Sequence, residues 1–401
     1  MRTFAKNYAA AFLGRTRPTK RIIIQWLKSS RTLQKQIDKG LTISGTFSID
    51  TERFGTSIRP LAALQLPRLN NIEELKNFLE LDSVDELEWL VAPNRLSGLN
   101  LTHYNAWLVK KRSGLYRIIE SPRSRLKFVQ RKILHGILDL VPVSDVCFGF
   151  SRGCRIQQFA SMHAGHEYVM RMDLESFFPN IALGRVNALW RSLGYPDEVA
   201  KCLTWLCTVP KKTLSTIEHE FISNDLARRE IFDQCMRDRL PQGAPTSGAI
   251  SNLIAYRMDR RFMGFANKTN GRYSRYADDL IFSWNSIDRK QLQKVSNWVA
   301  ATIIECGFRV NFRKTRIMHR SQRQSLLGVV VNQKPNIDRV YRDNLRATIY
   351  NCIRFGPSTQ NKESHPNFQE YLRGRIAWVN QINPNAGSQL ISSFGRIDWK
   401  R

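Results

Sequence analysis

The sequence predicts an α+β fold in which a small antiparallel sheet carrying acidic residues is set between helical segments. Three observations carry this reading. Tyr276-Ala277-Asp278-Asp279 has Tyr273 before it and Leu280-Ile281-Phe282 after it, two β-prone runs around a small, acidic turn. Upstream, Tyr168-Val169-Met170-Arg171-Met172-Asp173 has strand character, with Met170 and Met172 on the face opposite Asp173. Helical periodicity and cap signals dominate the flanks, over 71–90, 126–137 and 345–379.

At 401 residues the chain can bury a large core and hold two or three subdomains. Its 62 Lys and Arg against 34 Asp and Glu leave a net charge of +28, which predicts a polyanionic partner bound through phosphate neutralisation. An anionic membrane surface has no lipidation signal to support it. No apolar run reaches the roughly 18 residues of a membrane span, and Tyr8 to Leu13 is too short for a signal peptide. The seven cysteines are odd in number and lack any C-x2-C pair, so they read as reduced thiols of a reducing compartment. His163 and His166 lack cysteine partners at zinc-finger spacing.

Taken in order, residues 1–70 form a basic N-terminal extension with Arg15, Arg17, Lys20, Arg21, Lys28, Arg31, Lys35 and Lys39. It reads either as an arm that touches nucleic acid or as a solvated leader. Asn71 with Glu74 and Ser83 with Glu86 are capping boxes that open two short helices, the second ended by Pro93. Residues 106–119 read as strand, basic Ser-Gly turn and strand, with Lys110, Lys111 and Arg117 along them. After Pro122 a helix presents Leu126, Val129, Ile133, Leu134 and Ile137 on one face and Lys127, Arg131 and Lys132 on the other. Phe148-Gly149-Phe150-Ser151-Arg152-Gly153-Cys154-Arg155 sets Arg152 and Arg155 among glycines and aromatics, which suits a loop that contacts a template strand. Residues 210–239 are a charged insertion. The last segment is helical and basic. Leu345, Ile349, Cys352 and Ile353 have Arg342 and Arg346 beside them and are stopped by Gly356-Pro357. A second helix there carries Leu372, Ile376 and Val379 with Arg373 and Arg375.

Two adjacent carboxylates at a hairpin tip repel each other unless a cation binds them. Magnesium takes hard oxygen ligands, typically one or two carboxylates plus substrate phosphates. With Asp173, the pair Asp278 and Asp279 supplies the minimum ligand set for two metals about 4 Å apart, an arrangement suited to phosphoryl transfer. Between them, Leu240-Pro241-Gln242-Gly243-Ala244-Pro245-Thr246-Ser247-Gly248 opens a helix, where backbone can approach a nucleotide closely.

In this order the segments resemble the palm motifs of the RNA-directed DNA polymerases, the reverse transcriptases. The motifs are the strand Asp173 followed five residues later by Phe178, then Leu240-Pro241-Gln242-Gly243 and Tyr276 to Asp279. After them come Asn311-Phe312-Arg313-Lys314-Thr315 and Leu327-Gly328-Val329. The resemblance implies a right-hand polymerase: fingers over 71–166, a palm with an antiparallel sheet over 167–333, and a helical thumb over 334–401. It implies that Asp173, Asp278 and Asp279 bind two Mg2+ ions, Asp279 least directly. Phe178 would be the aromatic steric gate under the sugar. Gln242 would contact the incoming nucleotide and the template-primer, and Lys314 would be the proton donor to pyrophosphate. The basic hairpin residues Lys110, Lys111 and Arg117 would grip triphosphate oxygens. Arg342, Arg346, Arg373 and Arg375 would lie on a thumb that holds a primer-template duplex.

Within that family, residues 70–401 resemble most the bacterial retron enzymes. The carrying stretches are Leu126 to Arg131, Asp173 to Ile181, Gly328 to Asn332, Leu372 to Ile376, and Asn383-Pro384 through Phe394 to Trp399. No segment reads as an RNase H, integrase, protease or endonuclease. The implied activity is reverse transcription of a cognate noncoding RNA from one of its 2′-hydroxyls, giving branched RNA-linked single-stranded DNA (msDNA). The implied partners are that structured RNA, its DNA product, deoxynucleoside triphosphates and a separately encoded effector protein in bacterial cytoplasmic anti-phage defence. Two stretches depart from the retron pattern. Phe159-Ala160-Ser161-Met162-His163 lacks the usual leading Asn, and Leu326-Leu327-Gly328 keeps only the Gly of Val-Thr-Gly. Both elements are associated in the family with recognition of its own RNA. A group II intron-like enzyme is the alternative within the family, and a catalytically silent nucleic-acid scaffold the alternative outside it.

Overall fold

In the computed structural model, the described residues are 64–95, 103–111, 114–211, 231–232 and 234–399. The basic extension up to residue 63 and most of the 210–239 insertion lie outside them. The end of the extension belongs to the core: Leu66 and Leu69 are buried in one cluster with Leu75 and Leu79.

The first helices form where the caps predict. In α1 (Ile72–Phe78) the Asn71 side chain accepts from the Glu74 N–H at 2.9 Å. Before α2 (Val84–Arg95), Ser83 Oγ accepts from the Glu86 N–H. Both glutamates reach one residue further back than a capping box requires, to the N–H of Asn70 and of Asp82. Helix α2 continues through Pro93 to Arg95, so the proline does not end it. In a last turn its missing N–H forfeits one bond and its fixed φ is helical. Strands β1 (Tyr104–Lys110) and β2 (Tyr116–Pro122) pair antiparallel, with Lys110 opposite Tyr116 and Val109 opposite Arg117. Helix α3 (Ser124–Gly136) buries Leu126, Val129 and Ile133, and Ile137 is buried at its end.

After a loop and the short α4 (Ile156–Ser161), β3 (Tyr168–Asp173) enters the centre of the molecule. Helices α5 (Leu183–Ser192) and α6 (Asp197–Cys207) follow. Val209 and Arg239 then exchange both backbone bonds, closing the neck of the insertion. Its described end, Ile231 and Cys235, packs against Ile118 of β2. Helix α7 (Ser247–Lys268) buries Ile250, Ala255, Met258, Phe262 and Ala266. It leads into β4 (Arg272–Tyr276) and β5 (Asp279–Trp284), then α8 (Arg289–Glu305), whose Asp288 cap box closes with Gln291. With β6 (Arg316–His319) the four-stranded antiparallel order is β4-β5-β3-β6. Strand β5 is buried along its whole length, so its side chains pack on both faces of the sheet.

A three-stranded sheet of β7 (Ser325–Leu326), β8 (Val329–Val330) and β9 (Asn336–Ile337) follows. Its β7–β8 turn is Leu327-Gly328, both with positive φ, 50° and 85°. Those are the signs a tight hairpin turn demands, and only the glycine adopts them at no steric cost. Helices α9 (Arg339–Phe355), α10 (Phe368–Ile382) and α11 (Pro384–Phe394) complete the chain. Gly356, at φ 89°, ends α9 as expected. Leu345, Ile349, Leu372, Ile376 and Val379 join a second buried cluster that reaches Val169 of β3 and Ile281 of β5. The last helices are therefore anchored on the same two strands that carry the aspartates. All seven cysteines are free, and no described helix is long and apolar enough to cross a membrane.

Candidate active site

The register of the central sheet brings the three aspartates together. Asp173 pairs with Asp279 across β3 and β5, and Tyr276 pairs with Asp279 across the hairpin, leaving Ala277 and Asp278 as the turn. Ala277 has φ 55°, a left-handed conformation that a non-glycine residue adopts only at a cost. The Leu174 N–H donates to the Asp278 carbonyl at 2.9 Å, drawing the turn against the end of β3.

Each carboxylate has different surroundings. Asp173 Oδ1 accepts from Asn311 Nδ2 and Oδ2 from Lys314 Nζ, both at 2.9 Å. The Lys314 N–H bonds the Asn311 carbonyl, so one turn presents both donors. Asp279 takes a bidentate pair from Arg171, Nε to Oδ1 at 2.8 Å and Nη2 to Oδ2 at 2.9 Å. Burial raises the Asp279 carboxyl above its ordinary pKa, and the Arg171 hydrogen bonds and charge oppose that rise. Among the described residues no cationic side chain bonds the Asp278 carboxylate. Burial, then the charges of Asp279 and Asp173, push its pKa up to about 6.

Among the described residues, no three His, Cys, Asp or Glu side chains are drawn together as a finished metal cage. Lys314 and Arg171 hold oxygens of two of the three carboxylates. The donor set still fits a hard divalent cation. It offers carboxylate oxygens from two adjacent strand ends, one of them short of positive charge.

Around this centre, Phe178 is half-buried between Phe177 and Phe150, at ring-centroid distances of 5.4 and 5.7 Å. The Gln242 carbonyl accepts from the Glu120 N–H at 2.8 Å, which ties the loop to β2. Gly243, at φ 134°, has no room for a Cβ, which would lie 2.9 Å from the Glu120 carbonyl oxygen. Below that contact Arg239 and Glu120 form a fully buried ion pair, Nη2 to Oε1 at 2.6 Å.

The basic residues fall less simply. Lys110 and Arg117 are exposed but pair with Tyr116 and Val109, so they project to opposite faces of the hairpin. Lys111 follows at the turn, its N–H bonded to the Leu115 carbonyl. Arg152 is tied to Asp139 at 2.6 Å and to His135, while Arg155 is exposed and opens α4. Arg346 is exposed and Arg342 lies against Asp343 at 3.4 Å. Arg373 pairs with Glu370, and Arg375 bonds the Tyr341 hydroxyl while its guanidinium covers the Tyr341 and Tyr371 rings. Arg375 therefore ties α9 to α10.

At the two departures from the retron pattern Phe159 and Leu326 are buried and Leu327 is half-buried. His163 is fully buried, with ring nitrogens 2.8 Å from Ser283 Oγ and 2.7 Å from Ser274 Oγ. Sequence reasoning assigned no role to Arg171, Asn311, Glu120 or Arg239, and placed Phe150 only within a loop suited to contact a template. Only Asn311 carried a signal, its spacing of three from Lys314.

Comparison with known proteins gives concordant matches. The family described as "Reverse transcriptase (RNA-dependent DNA polymerase)" matches residues 109–331. The chain is 35% identical over 288 residues to the retron Mx65 reverse transcriptase of Myxococcus xanthus, covering 72% of this chain and 63% of that protein. It is 30% identical over 347 residues to the retron Mx162 reverse transcriptase of the same organism, covering 83% and 68%. To the retron Ec86 reverse transcriptase of Escherichia coli it is 27% identical over 343 residues, covering 85% and 93%. The chain thus spans less than two thirds of the Mx65 protein and nearly all of the Ec86 protein.

Proposed function

The chain belongs to the retron reverse transcriptases, RNA-directed DNA polymerases of the right-hand fold, and from that premise we propose that it copies one structured noncoding RNA, primed from a 2′-hydroxyl of that RNA. The product is branched, RNA-linked single-stranded DNA. A separately encoded effector would act with it in cytoplasmic anti-phage defence. The fingers, palm and thumb over 71–166, 167–333 and 334–401 are part of this proposal. The observation that carries it is the meeting of Asp173, Asp278 and Asp279 at one strand register inside the matched segment.

In this reading Asp173, Asp278 and Asp279 hold two Mg2+ ions. When bound, the ions supply activation of the attacking hydroxyl and stabilisation of the leaving oxygen. Among the described residues no cationic side chain bonds the Asp278 carboxylate, which leaves it to bind directly, while Arg171 restrains Asp279 to a lesser share. Lys314, half-exposed and aligned by Asp173, carries a proton toward the departing pyrophosphate. Phe178 closes the space beneath the sugar, and the Gln242 loop lies against the incoming nucleotide. The basic surface neutralises template phosphates. The hydroxyl needs only alignment and activation, so an internal 2′-hydroxyl serves as well as a 3′ end.

Two measurements test the proposal. Asp278→Asn lowers primer extension by orders of magnitude and leaves RNA binding in place; unchanged extension would overturn the site. DNA that copurifies with the protein stays joined to RNA until a debranching enzyme cuts the 2′–5′ link. Finding only linear, 3′-primed DNA would reject self-priming and leave the polymerase assignment standing.

A further inference from the structure

Phe150 combines features that packing alone does not explain. The residue is 57% exposed, although it lies at the junction of three motif segments. Its backbone is left-handed, φ 58°, in a large residue that gains nothing from that conformation. Such strain persists where surrounding structure over-determines it, and it concentrates at functional sites.

The surroundings do over-determine it. The Phe148 N–H donates to the Arg275 carbonyl at 2.8 Å, fixing the loop beside β4. The Gly149 carbonyl accepts from Asn252 Nδ2 of α7 at 2.8 Å. A Cβ on Gly149 would lie 2.3 Å from the Ala277 nitrogen, so the loop is wedged against the aspartate turn itself. The Phe150 ring then lies over Gly248 at the start of α7, where a Cβ would come within 2.7 Å of its Cγ. Its outer edge meets Phe178 at 5.7 Å and 61°, an edge-to-face contact. Phe177 supports Phe178 from another side at 5.4 Å and rests in turn on Phe308 at 5.6 Å.

We propose that Phe150 is a specificity-determining residue that forms the second wall of the sugar pocket, holding the Phe178 ring in the position that excludes a 2′-hydroxyl. The inference rests on the reading of Phe178 as the steric gate. A gate discriminates only as well as it is held, because a ring free to swing aside admits the larger sugar. Phe178 is only half-buried, so Phe177 by itself does not enclose the ring. The exposed Phe150 supplies the missing side. Its strain is the cost of bringing a ring to a surface that faces the pocket instead of the core.

The test compares kcat/KM for a deoxynucleotide and the matching ribonucleotide in the parent, Phe150→Leu, Phe178→Ala and the double variant. Melting temperature and template affinity are measured on each. Phe178→Ala abolishes most of the deoxy preference. Phe150→Leu lowers that preference about two- to tenfold, the range of one edge-to-face aromatic contact. Adding Phe150→Leu to Phe178→Ala changes it no further, because Phe150 acts through Phe178. Gly248→Ala keeps both rings and intrudes on Phe150 from below, so it lowers the preference by an independent route. An unchanged ratio in both Phe150→Leu and Gly248→Ala overturns this inference alone, as does an effect that adds in full to that of Phe178→Ala. An unchanged ratio in Phe178→Ala overturns the gate and this inference together.

Discussion

Acidification destabilises this protein through His163 by an amount that one substitution removes. The imidazole is fully buried and bonded on both sides, to Ser283 of β5 and Ser274 of β4. Burial, with the charges of His166 and Arg272 in the same direction, pushes its pKa from the ordinary 6.5 down to about 3. Above pH 6.5 both the folded and unfolded forms are neutral, and the group's stability contribution is fully present. As pH falls, the unfolded chain takes up a proton that the folded chain refuses, so stability is lost from 6.5 down toward 3. One pH unit corresponds to about 1.4 kcal/mol, so the loss at pH 5 is about 2 kcal/mol. Urea unfolding of the parent and of His163→Gln at pH 7.5 and pH 5 isolates it, because every other titrating group cancels in the difference. The parent's advantage over the variant shrinks by about 2 kcal/mol at the lower pH. Parallel pH profiles would refute the argument, since they would mean that His163 takes up its proton without unfolding. The consequence reaches the active site, because Ser274 and Ser283 lie on the two strands that present Asp278.

Two further outcomes follow from the charges. Glu120→Ala strands the buried guanidinium of Arg239 and costs about 3–5 kcal/mol in urea unfolding, whereas Glu120→Leu with Arg239→Met recovers most of it; equal losses in the two would refute the pairing. Template RNA affinity falls about a thousandfold or more between 50 and 200 mM salt, as several phosphate contacts on a chain of net charge +28 require, and a flat dependence would contradict them.

Much of this architecture is legible in the sequence because it rests on local rules. Asn71 and Ser83 cap the helices they precede, Gly356 ends α9, and the apolar run of 280–282 makes a buried strand. The proximity of the aspartates is legible from the strand character of 168–173 and of the 273–282 hairpin, which the register then brings side by side. What stayed hidden depends on distance. Arg171 looks like the exposed member of an alternating strand, and only the β3–β5 register shows that it clamps Asp279. Lys110 and Arg117 look like one basic grip, but the pairing of 110 with 116 sets them on opposite faces. Arg152 and Arg375 read as free charge, yet their partners, Asp139 and Tyr341, lie on other elements. Pro93 lies in the last turn of α2, which ends at Arg95, and there a proline forfeits one backbone bond and does not stop the helix.

The strained backbone around the aspartates is braced from one buried network. Ala277, Phe150 and Ser176 are all left-handed non-glycine residues near one turn, and each costs of order 1–3 kcal/mol. Arg275 is the group that makes such a turn sustainable. It is completely buried and donates to both oxygens of Asp259 at 2.8 and 2.7 Å, to Asn252 Oδ1 at 3.0 Å and to the Ala277 carbonyl at 3.1 Å. Tyr273 adds a hydroxyl bond to Asp259. Asp259 and Asn252 belong to α7, the helix that the Gln242 loop opens, and Asn252 also holds the Phe150 loop. The aspartate turn, the Gln242 loop and the aromatic pair thus share one buried scaffold. Loss of Arg275 would leave a buried Asp259 carboxylate without its cation and remove the bond to the Ala277 carbonyl at once. Stability and active-site geometry should therefore fail together there, whereas at Phe150 they should separate.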